Sequence, residues 1–281
     1  MYQFPIGVVL DCFPGSLKEQ LSLAEKLGLK GVQVYGIEGE ISPEMTVSAR
    51  AEFKKELADR RLTLSAVCGD LGHGFFDPEH NKENIERSKR ILELAKELGT
   101  DVVTTHIGVV PKDPSHPRYG IMQDACGQLA EYANQLGSHF AIETGPEPAD
   151  VLRKFLDTLP SDGVGVNLDP ANLHMCFNCD AAEAVRILKP YIVHTHAKDG
   201  VYKKFCDSEI MYGILPLPAD YQEEDYCEEV PLGQGGVNWK EYLSALDGIG
   251  YRGFLTIERE TGDDPAGDIR MAADFLRAQM K

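Results

Sequence analysis

Basic residues are scarce in this sequence. Its 281 residues include 28 lysines and arginines against 45 aspartates and glutamates, which gives a formal net charge of -17. A protein this acidic repels nucleic-acid phosphates and anionic membrane surfaces unless it has a local basic groove. The lysines and arginines are scattered among the expected helices, and no basic stretch stands out. We therefore expect neither a nucleic acid nor a membrane as a partner.

Long apolar runs and regular cysteine spacing are also missing. No segment approaches the ~18 apolar residues of a membrane-spanning helix. The first residues, MYQFPIGVVLDCFP, contain no basic stretch followed by a long apolar run, so they do not resemble a signal peptide. The seven cysteines are an odd number at irregular spacing, which argues against a disulfide framework. These absences lead us to expect a cytoplasmic protein.

Three motifs of cofactor binding or catalysis are absent or incomplete. No Gly-x-Gly-x-x-Gly follows an early strand, so a dinucleotide-binding sheet has little support. No Gly-x-Ser-x-Gly is present, which removes the usual sign of a serine hydrolase. Cys176 and Cys179 form a Cys-x-x-Cys motif close to His174. A structural zinc site needs a second pair at matching spacing, which Cys206 and Cys227 do not supply.

Short apolar runs rich in Val, Ile and Thr recur along the whole chain, and helical patterns lie between them. Several runs are apolar almost throughout, as expected for parallel strands that are covered on both faces. Eight strands are predicted, at Ile6–Leu10, Gly31–Val34, Leu62–Val67, Val102–His106, Phe140–Glu143, Val164–Asp169, Ile192–His196 and Phe254–Glu258. Eight helices are predicted, at Ser16–Gly28, Met45–Arg60, Asn81–Gly99, Tyr119–Gly137, Ala149–Leu159, Ala181–Leu188, Trp239–Leu246 and Ile269–Met280.

The alternation of strand and helix, repeated eight times, predicts an α/β fold built on a parallel sheet. Eight units within 281 residues favour a closed (β/α)8 TIM barrel, since such barrels typically contain about 250 residues. An open, doubly wound sheet is the alternative. We therefore expect residues 1–281 to form one TIM-barrel domain.

One connection is much longer than the others, because about forty residues separate Asp199 from Trp239. Long loops without secondary structure are uncommon in compact domains and usually act as lids or binding loops. The segment contains Tyr, Phe, Pro and acidic residues that could fold over the barrel mouth. We predict that residues 199–238, approximately, act as a lid. A dispensable surface excursion is the alternative.

Ionisable residues close five of the predicted strands. The carboxyl ends of the strands of a TIM barrel converge on one face, where active sites are built. Several buried charges at one mouth would repel one another or remain unpaired unless a cation lay among them. The five residues are His106, Glu143, Asp169, His196 and Glu258.

Three carboxylates and one imidazole from this group form an oxygen-rich ligand set for one divalent metal ion. Such a set suits Mn2+, which is our first expectation, or Mg2+ or Co2+, with Zn2+ as a further alternative. His194 has the same strand parity as His196, so a two-histidine site is also open. Each ligand could instead be a satisfied structural polar residue. The predicted ligands are Glu143, Asp169, His196 and Glu258.

The motifs around these residues resemble those of a known family. In order along the chain they are AIETGPEP, GVNLDPANLHM, IVHTHAKDG, EVPLGQGGVNW and FLTIERE. Together they resemble the sugar phosphate isomerase/epimerase family of the xylose isomerase-like barrel superfamily. The resemblance implies that Glu143 and Glu258 are both metal ligands and the catalytic acid–base pair, and that Asp169 and His196 complete the metal site. It also places His106, within THIG, at the mouth as a substrate-binding residue.

Three further residues are candidates for substrate binding. Lys198 follows the predicted histidine ligand closely and is suited to binding a hydroxyl or phosphate of a substrate. Glu147 and Asn172 lie beside proposed ligands, where they contact substrate or cap a helix. Asn172 is also a departure from the family, since several ketose epimerases and the related repair nucleases have a histidine there. The further metal ligands that the nucleases need are missing, so nuclease activity is not expected.

The resemblance implies proton transfer next to a carbonyl group. We expect a divalent-metal-dependent isomerase or epimerase that acts on a ketose, keto-inositol or related hydroxy-carbonyl sugar through an enediolate. Two alternatives remain: a metal-dependent lyase or dehydratase of a keto-sugar or keto-cyclitol, and a non-catalytic sugar-binding barrel. A homo-oligomer is a further expectation, because barrels of this family often pair.

The sequence shows no glycine-rich phosphate-binding signature, and few basic residues lie near the predicted mouth. This slightly favours an unphosphorylated or oxidised sugar as the substrate. The basic residues near the mouth are Lys198, Lys203, Lys204 and Arg259.

Overall fold

Eight parallel strands form a closed barrel in the computed structural model, which describes residues 2–281. The strands of this part of the chain are β1 (Ile6–Val9), β2 (Gly31–Tyr35), β3 (Thr63–Cys68), β4 (Val102–Thr105), β5 (His139–Glu143), β6 (Val164–Leu168), β7 (Ile192–Ala197), β8 (Asp199–Tyr202), β9 (Cys227–Val230) and β10 (Leu255–Ile257). All except β8 and β9 belong to the barrel, and β1 pairs with both β2 and β10, which closes it. The predicted eight-stranded TIM barrel is therefore confirmed, and the open sheet is excluded.

Helices surround the barrel and follow its strands. They are α1 (Leu17–Lys26), α2 (Val47–Arg60), α3 (Pro78–Leu98), α4 (Pro117–Gln135), α5 (Ala149–Leu156), α6 (Pro170–Phe177), α7 (Ala181–Leu188), α8 (Ser208–Met211), α9 (Trp239–Gly248) and α10 (Pro265–Gln279). Each of the eight predicted helices is present, whereas α6 and α8 were not predicted. Within residues 2–281, no helix is long and apolar enough to cross a membrane.

Three helices begin earlier than their apolar stripes predicted. The stripes predicted starts at Asn81, Tyr119 and Ile269, but α3, α4 and α10 each begin at a proline. Proline is favoured at the first helical position because its φ angle suits a helix. The backbone N–H that it lacks would have no partner within the helix at that position. The residue before each proline accepts a hydrogen bond from a backbone N–H of the first turn, as side-chain caps do.

Apolar side chains fill the layer between the barrel and its helices. Val166 on β6, Leu152 and Phe155 on α5 and Leu243 on α9, for example, are excluded from solvent. Burial of one such side chain contributes about 1.5–3 kcal/mol. This layer holds the strand ends in place, and so fixes the positions of the side chains at the mouth.

The long segment between β7 and α9 is structured. Strands β8 and β9 pair antiparallel, with Asp199 opposite Val230 and Tyr202 opposite Cys227. The segment packs so closely on α6 that a Cβ atom at Gly236 would lie 1.9 Å from Nε2 of His174. A long loop was expected here, but the segment forms a small β-hairpin, β8 and β9, with the short helix α8 between its strands.

One buried carboxylate fastens this hairpin to the barrel. Asp199 accepts hydrogen bonds from the backbone N–H groups of Gly233 and Val237, at 2.9 Å and 3.2 Å. It also accepts one from the indole N–H of Trp239, at 2.9 Å. The two ends of the hairpin segment are thereby tied to each other and to the start of α9.

We expect Asp199→Ala to loosen residues 200–238 and to lower the free energy of unfolding by about 3 kcal/mol or more, because buried donors lose a charged acceptor. Urea unfolding and limited proteolysis measure the two effects, and fluorescence of Trp239 reports the local change. The control is Asp247→Ala, which removes an aspartate whose side chain is 46% exposed and paired with Arg252. Equal unfolding free energies for the two variants would contradict the prediction.

Candidate metal centre

Four acidic and histidine side chains meet at the carboxyl ends of the barrel strands. Glu143 ends β5, Asp169 follows β6, His196 lies near the end of β7 and Glu258 follows β10. All four are buried, and one ligand atom from each lies within 4.8 Å of the other three. The parallel strands bring these residues together although 115 positions separate the first of them from the last.

The imidazole Nδ1 of His196 contacts all three carboxylates. It lies 3.2 Å from Oε2 of Glu258 and 3.3 Å from Oε1 of Glu143. Oδ2 of Asp169 lies 3.5 Å from the same nitrogen and has no hydrogen-bond partner, although the side chain is fully buried. A buried oxygen without a donor and an oxygen-rich ligand set both fit a hard divalent cation. The cluster could therefore hold a divalent metal ion.

The other oxygen of Asp169 has a structural role. Oδ1 accepts hydrogen bonds from the backbone N–H groups of Ala171 and Asn172, at 2.7 Å and 2.9 Å, and so caps α6. Because the cap fixes the carboxylate, Oδ2 is held toward His196. The helix that the sequence did not predict is thus the element that orients this candidate ligand.

Charge within the cluster shifts the pKa values of its members. Burial raises the pKa of Asp169. Burial opposes protonation of His196, but the nearby carboxylates of Glu258 and Glu143 outweigh it and raise the pKa well above the usual value. Burial also disfavours ionised Glu258, yet His196 and Lys198 lower its pKa. A bound divalent cation would favour the unprotonated imidazole, because metal ligands bind in their deprotonated form.

Polar side chains inside the barrel support the cluster from below. Asn167 donates from Nδ2 to Oε2 of Glu143 at 3.0 Å, and its Oδ1 lies 2.9 Å from Nδ1 of His194. Gln33 places Oε1 at 3.1 Å from Nε2 of His196. His194 contacts Thr256 as well, at 2.9 Å, and is not part of the four-residue cluster. These contacts orient the side chains that could bind a metal ion.

A cavity of about 270 Å3 opens above the cluster. Its walls include Asn172 and Lys198 from the barrel, and Met211 and Tyr212 from the hairpin segment. Asn172 donates from Nδ2 to Oε1 of Glu143 at 3.4 Å. The hairpin therefore covers part of the mouth, and an organic ligand in the cavity would contact the four-residue cluster.

His106 and Lys198 both line this cavity. Nδ1 of His106 is 2.8 Å from Asp70, and its Nε2 is 3.8 Å from Oε1 of Glu143. Burial opposes protonation of His106, but Glu143 and Asp70 together raise its pKa to about 9. Nζ of Lys198 donates to Oε2 of Glu258 at 3.1 Å.

Glu147 lies behind the cavity wall rather than among its lining residues. It accepts a hydrogen bond from the backbone N–H of Val110 at 3.0 Å, and its second carboxylate oxygen is buried without a partner. Burial raises its pKa to about 8. Its observed contact supports the loop after β4.

Several residues of the site were not predicted from the sequence. Asn167 and Gln33 are single polar residues within apolar strands, and that contrast was the available signal. Asp70 lies just after β3, at a strand end like the predicted ligands. Tyr212 carries no sequence signal, because its place at the mouth depends on how the hairpin folds.

We expect Asn167→Ala to weaken Mn2+ or Co2+ binding about 10–100-fold, the usual cost of removing a residue that orients a metal ligand. Calorimetric titration of the metal-free protein measures this affinity. Asn134→Ala is the control, because Asn134 is exposed on the last turn of α4. Unchanged affinity in Asn167→Ala would show that the barrel interior does not orient the cluster.

A second prediction concerns the pH dependence of stability. Glu147 has a pKa of about 8 in the folded protein and 4.5 as a free side chain. Between these values the folded protein holds the extra proton, so this residue makes the free energy of unfolding fall as pH rises. We expect Glu147→Gln to gain a few kcal/mol relative to the wild type between pH 5 and pH 8.5, since one pKa unit corresponds to about 1.4 kcal/mol.

Urea unfolding at the two pH values measures this gain. Glu131→Gln on α4 is the control, because Glu131 is exposed. Parallel curves for Glu147→Gln as well would contradict the raised pKa.

Comparisons with known proteins agree with this architecture. Residues 21–279 match the family described as xylose isomerase-like TIM barrel. A xylose isomerase domain protein from Planctomyces limnophilus is 27% identical, with a TM-score of 0.80 over 99% of this chain and 98% of that one.

Two enzymes share the fold at lower identity. The 3-keto-D-glucoside 4-epimerase YcjR from E. coli is 16% identical, with a TM-score of 0.72 over 98% of this chain and 99% of that one. The probable 3-DHS dehydratase AsbF from Bacillus anthracis is also 16% identical, with a TM-score of 0.74 over the same shares. These two likenesses show the fold alone. The family match covers most of the chain, and the protein therefore belongs to the xylose isomerase-like TIM barrel family.

Proposed function

We propose that this protein is a divalent-metal-dependent isomerase or epimerase of a ketose, keto-inositol or related hydroxy-carbonyl sugar. The observation that carries the proposal is the unpartnered, buried Oδ2 of Asp169 within a cluster of three carboxylates and one imidazole, at the base of an open cavity. The proposed ligands are Glu143, Asp169, His196 and Glu258. Mn2+ is the first candidate, followed by Mg2+, Co2+ and Zn2+, because oxygen ligands predominate.

Two carboxylates are available to move a proton. A bound divalent ion would polarise a substrate carbonyl and stabilise the negative charge that develops on it. We assign Glu143 and Glu258 as the acid–base pair, since both border the cavity and β6 and β7 separate their strands. One removes a proton from the carbon beside the carbonyl, and the other returns a proton. Return to the opposite face of that carbon gives an epimer, and return to the adjacent carbon gives an isomer.

Neighbouring side chains would orient the substrate. His106, Asn172 and Lys198 present polar groups to the cavity and can bind the oxygens of a sugar. We assign a lid role to residues 199–238, because Met211 and Tyr212 of this segment cover part of the mouth. A lid that excludes water strengthens electrostatic stabilisation in the site.

A lyase or dehydratase of a keto-sugar or keto-cyclitol is the second candidate. The likeness to a probable dehydratase and the position of His106 favour it, because a protonated imidazole near Glu143 could donate a proton to a departing hydroxyl. Both reactions begin with the same proton abstraction. A product with the new ultraviolet absorbance of an enone indicates elimination, and its absence with changed stereochemistry indicates epimerisation.

We expect Glu143→Gln and Glu258→Gln each to lower the exchange of substrate C–H protons in heavy water about 100–10,000-fold, the usual contribution of a general acid or base. NMR of the Mn2+-loaded enzyme with a panel of ketoses and keto-cyclitols measures this exchange. Glu183→Gln on the exposed face of α7 is the control. Wild-type exchange rates in both active-site variants would contradict the acid–base assignment, and no exchange above background in the wild type would favour a non-catalytic sugar-binding barrel.

Metal content of the same preparations tests the proposal independently. About one divalent ion per chain in the wild type, lost in Asp169→Asn, is expected from the four-residue cluster. A wild-type protein that binds no Mn2+ or Co2+ would contradict both the isomerase and the lyase assignments.

A further inference from the structure

Every lysine and arginine that lines the mouth is already paired with carboxylates. Lys198 lies 3.1 Å from Glu258 and 3.8 Å from Glu229, and it donates a further hydrogen bond to Glu260. Its side chain is only 5% exposed, and these carboxylates hold its ammonium group in place. The lysine nearest the cluster is thus neutralised by the protein itself.

Arg259 is also paired with carboxylates. Its guanidinium binds Glu229 at 2.7 Å and Asp268 at 2.8 Å, and it is nearly buried. The fixed fork of an arginine that binds two carboxylates has few donors left for a phosphate or a carboxylate of a ligand. The two buried cations therefore share Glu229 within one network.

The outer cations of the hairpin segment are also paired. Lys203 binds Glu228 at 2.7 Å, and Lys204 lies 3.8 Å from Asp225 and above the ring of Tyr226. His106, the remaining cationic group of the mouth besides His196, is paired with Asp70. No lysine, arginine or histidine lining the cavities described here is left without a carboxylate partner.

A helix N-terminus is the other common phosphate site, and it is occupied here. Helix α6 begins at the base of the cavity, but the backbone N–H groups of Ala171 and Asn172 already bind the carboxylate of Asp169. An anionic group of a ligand would have to displace that carboxylate, which is a proposed metal ligand.

The space around the mouth is itself acidic. A second cavity of about 450 Å3 adjoins the first and shares Asn172, Met175 and Lys198 with it. Five glutamates line this second cavity, whereas Lys198 and Arg259 are its cationic lining residues. A phosphate or carboxylate group would meet repulsion in this second cavity, whereas hydroxyl groups can donate to its carboxylates.

We propose that the substrate of this enzyme is an uncharged polyhydroxy ketone or cyclitol ketone, without phosphate or carboxylate groups. The proposal rests on the proposed function, because it describes the substrate of the same site. The proposal excludes, as substrates of this chain, the sugar phosphates that the motif resemblance suggests.

The test compares free ketoses with their phosphate esters, such as fructose and fructose 6-phosphate, on the Mn2+-loaded protein. Proton exchange by NMR gives kcat/KM, and calorimetric titration of the same pairs gives affinity without turnover. We expect the free sugar to be preferred at least about tenfold, a factor equal to about 1.4 kcal/mol. An ester that exchanges or binds as well as its free sugar would overturn the proposal.

Absence of exchange with every sugar would contradict the proposed function, not the charge argument. Affinity then decides the charge argument alone: weaker binding of the esters supports it, and tighter binding overturns it.

A pair of matched variants tests the cause. Glu260→Gln removes one partner of Lys198, and Glu97→Gln removes the partner of Arg50 far from the mouth; the two glutamates are 54% and 53% exposed. We expect Glu260→Gln to reduce the preference for free sugars about tenfold, as one freed charge-assisted donor would. Glu97→Gln should leave the preference unchanged. Equal effects in both variants would show that net charge, not the pairing of Lys198, sets the selectivity.

Discussion

Repulsion among three carboxylates is the constraint that shapes this protein. The barrel strands bring Glu143, Asp169 and Glu258 within reach of a single imidazole, in a place that solvent hardly reaches. Buried like charges are unfavourable unless cations or hydrogen-bond donors compensate them. Asn167 below the cluster and Lys198 beside it supply part of this compensation. Oδ2 of Asp169 is buried without a hydrogen-bond donor, and a divalent ion could compensate its charge.

Polar residues replace part of the apolar packing inside the barrel and support this cluster. Branched apolar residues usually fill the centre of such barrels, but here Gln33, Asn167, His194 and Thr256 form a connected polar layer under the site. A buried polar network stabilises a single arrangement when its members are satisfied, and it is costly when one partner is lost. The layer therefore orients the candidate ligands rigidly, because no member can turn away without leaving a buried group unpaired.

The sequence predicted the repeated strand and helix units and the polar residues at the strand ends. Eight apolar runs predicted the barrel, and the ionisable residues that close five of them include the four residues of the cluster. Gln33 was missed, since its partners at the mouth are distant along the chain and an isolated polar residue in a strand has many explanations. The hairpin was missed because it depends on Asp199 meeting Trp239, forty positions away.

The two proposed acid–base residues are not equivalent, and this bears on the direction of proton transfer. Glu258 faces the permanent charge of Lys198, which favours its ionised form. Glu143 faces the amide of Asn167 and the titratable imidazole of His106, which can hold a proton at neutral pH because its pKa is raised to about 9. A reaction that removes a proton on one side and returns it on the other needs one ionised and one proton-supplying side. The fixed charge of Lys198 beside Glu258 and the imidazole of His106 beside Glu143 therefore give the two sides of the cavity different neighbours for such a transfer.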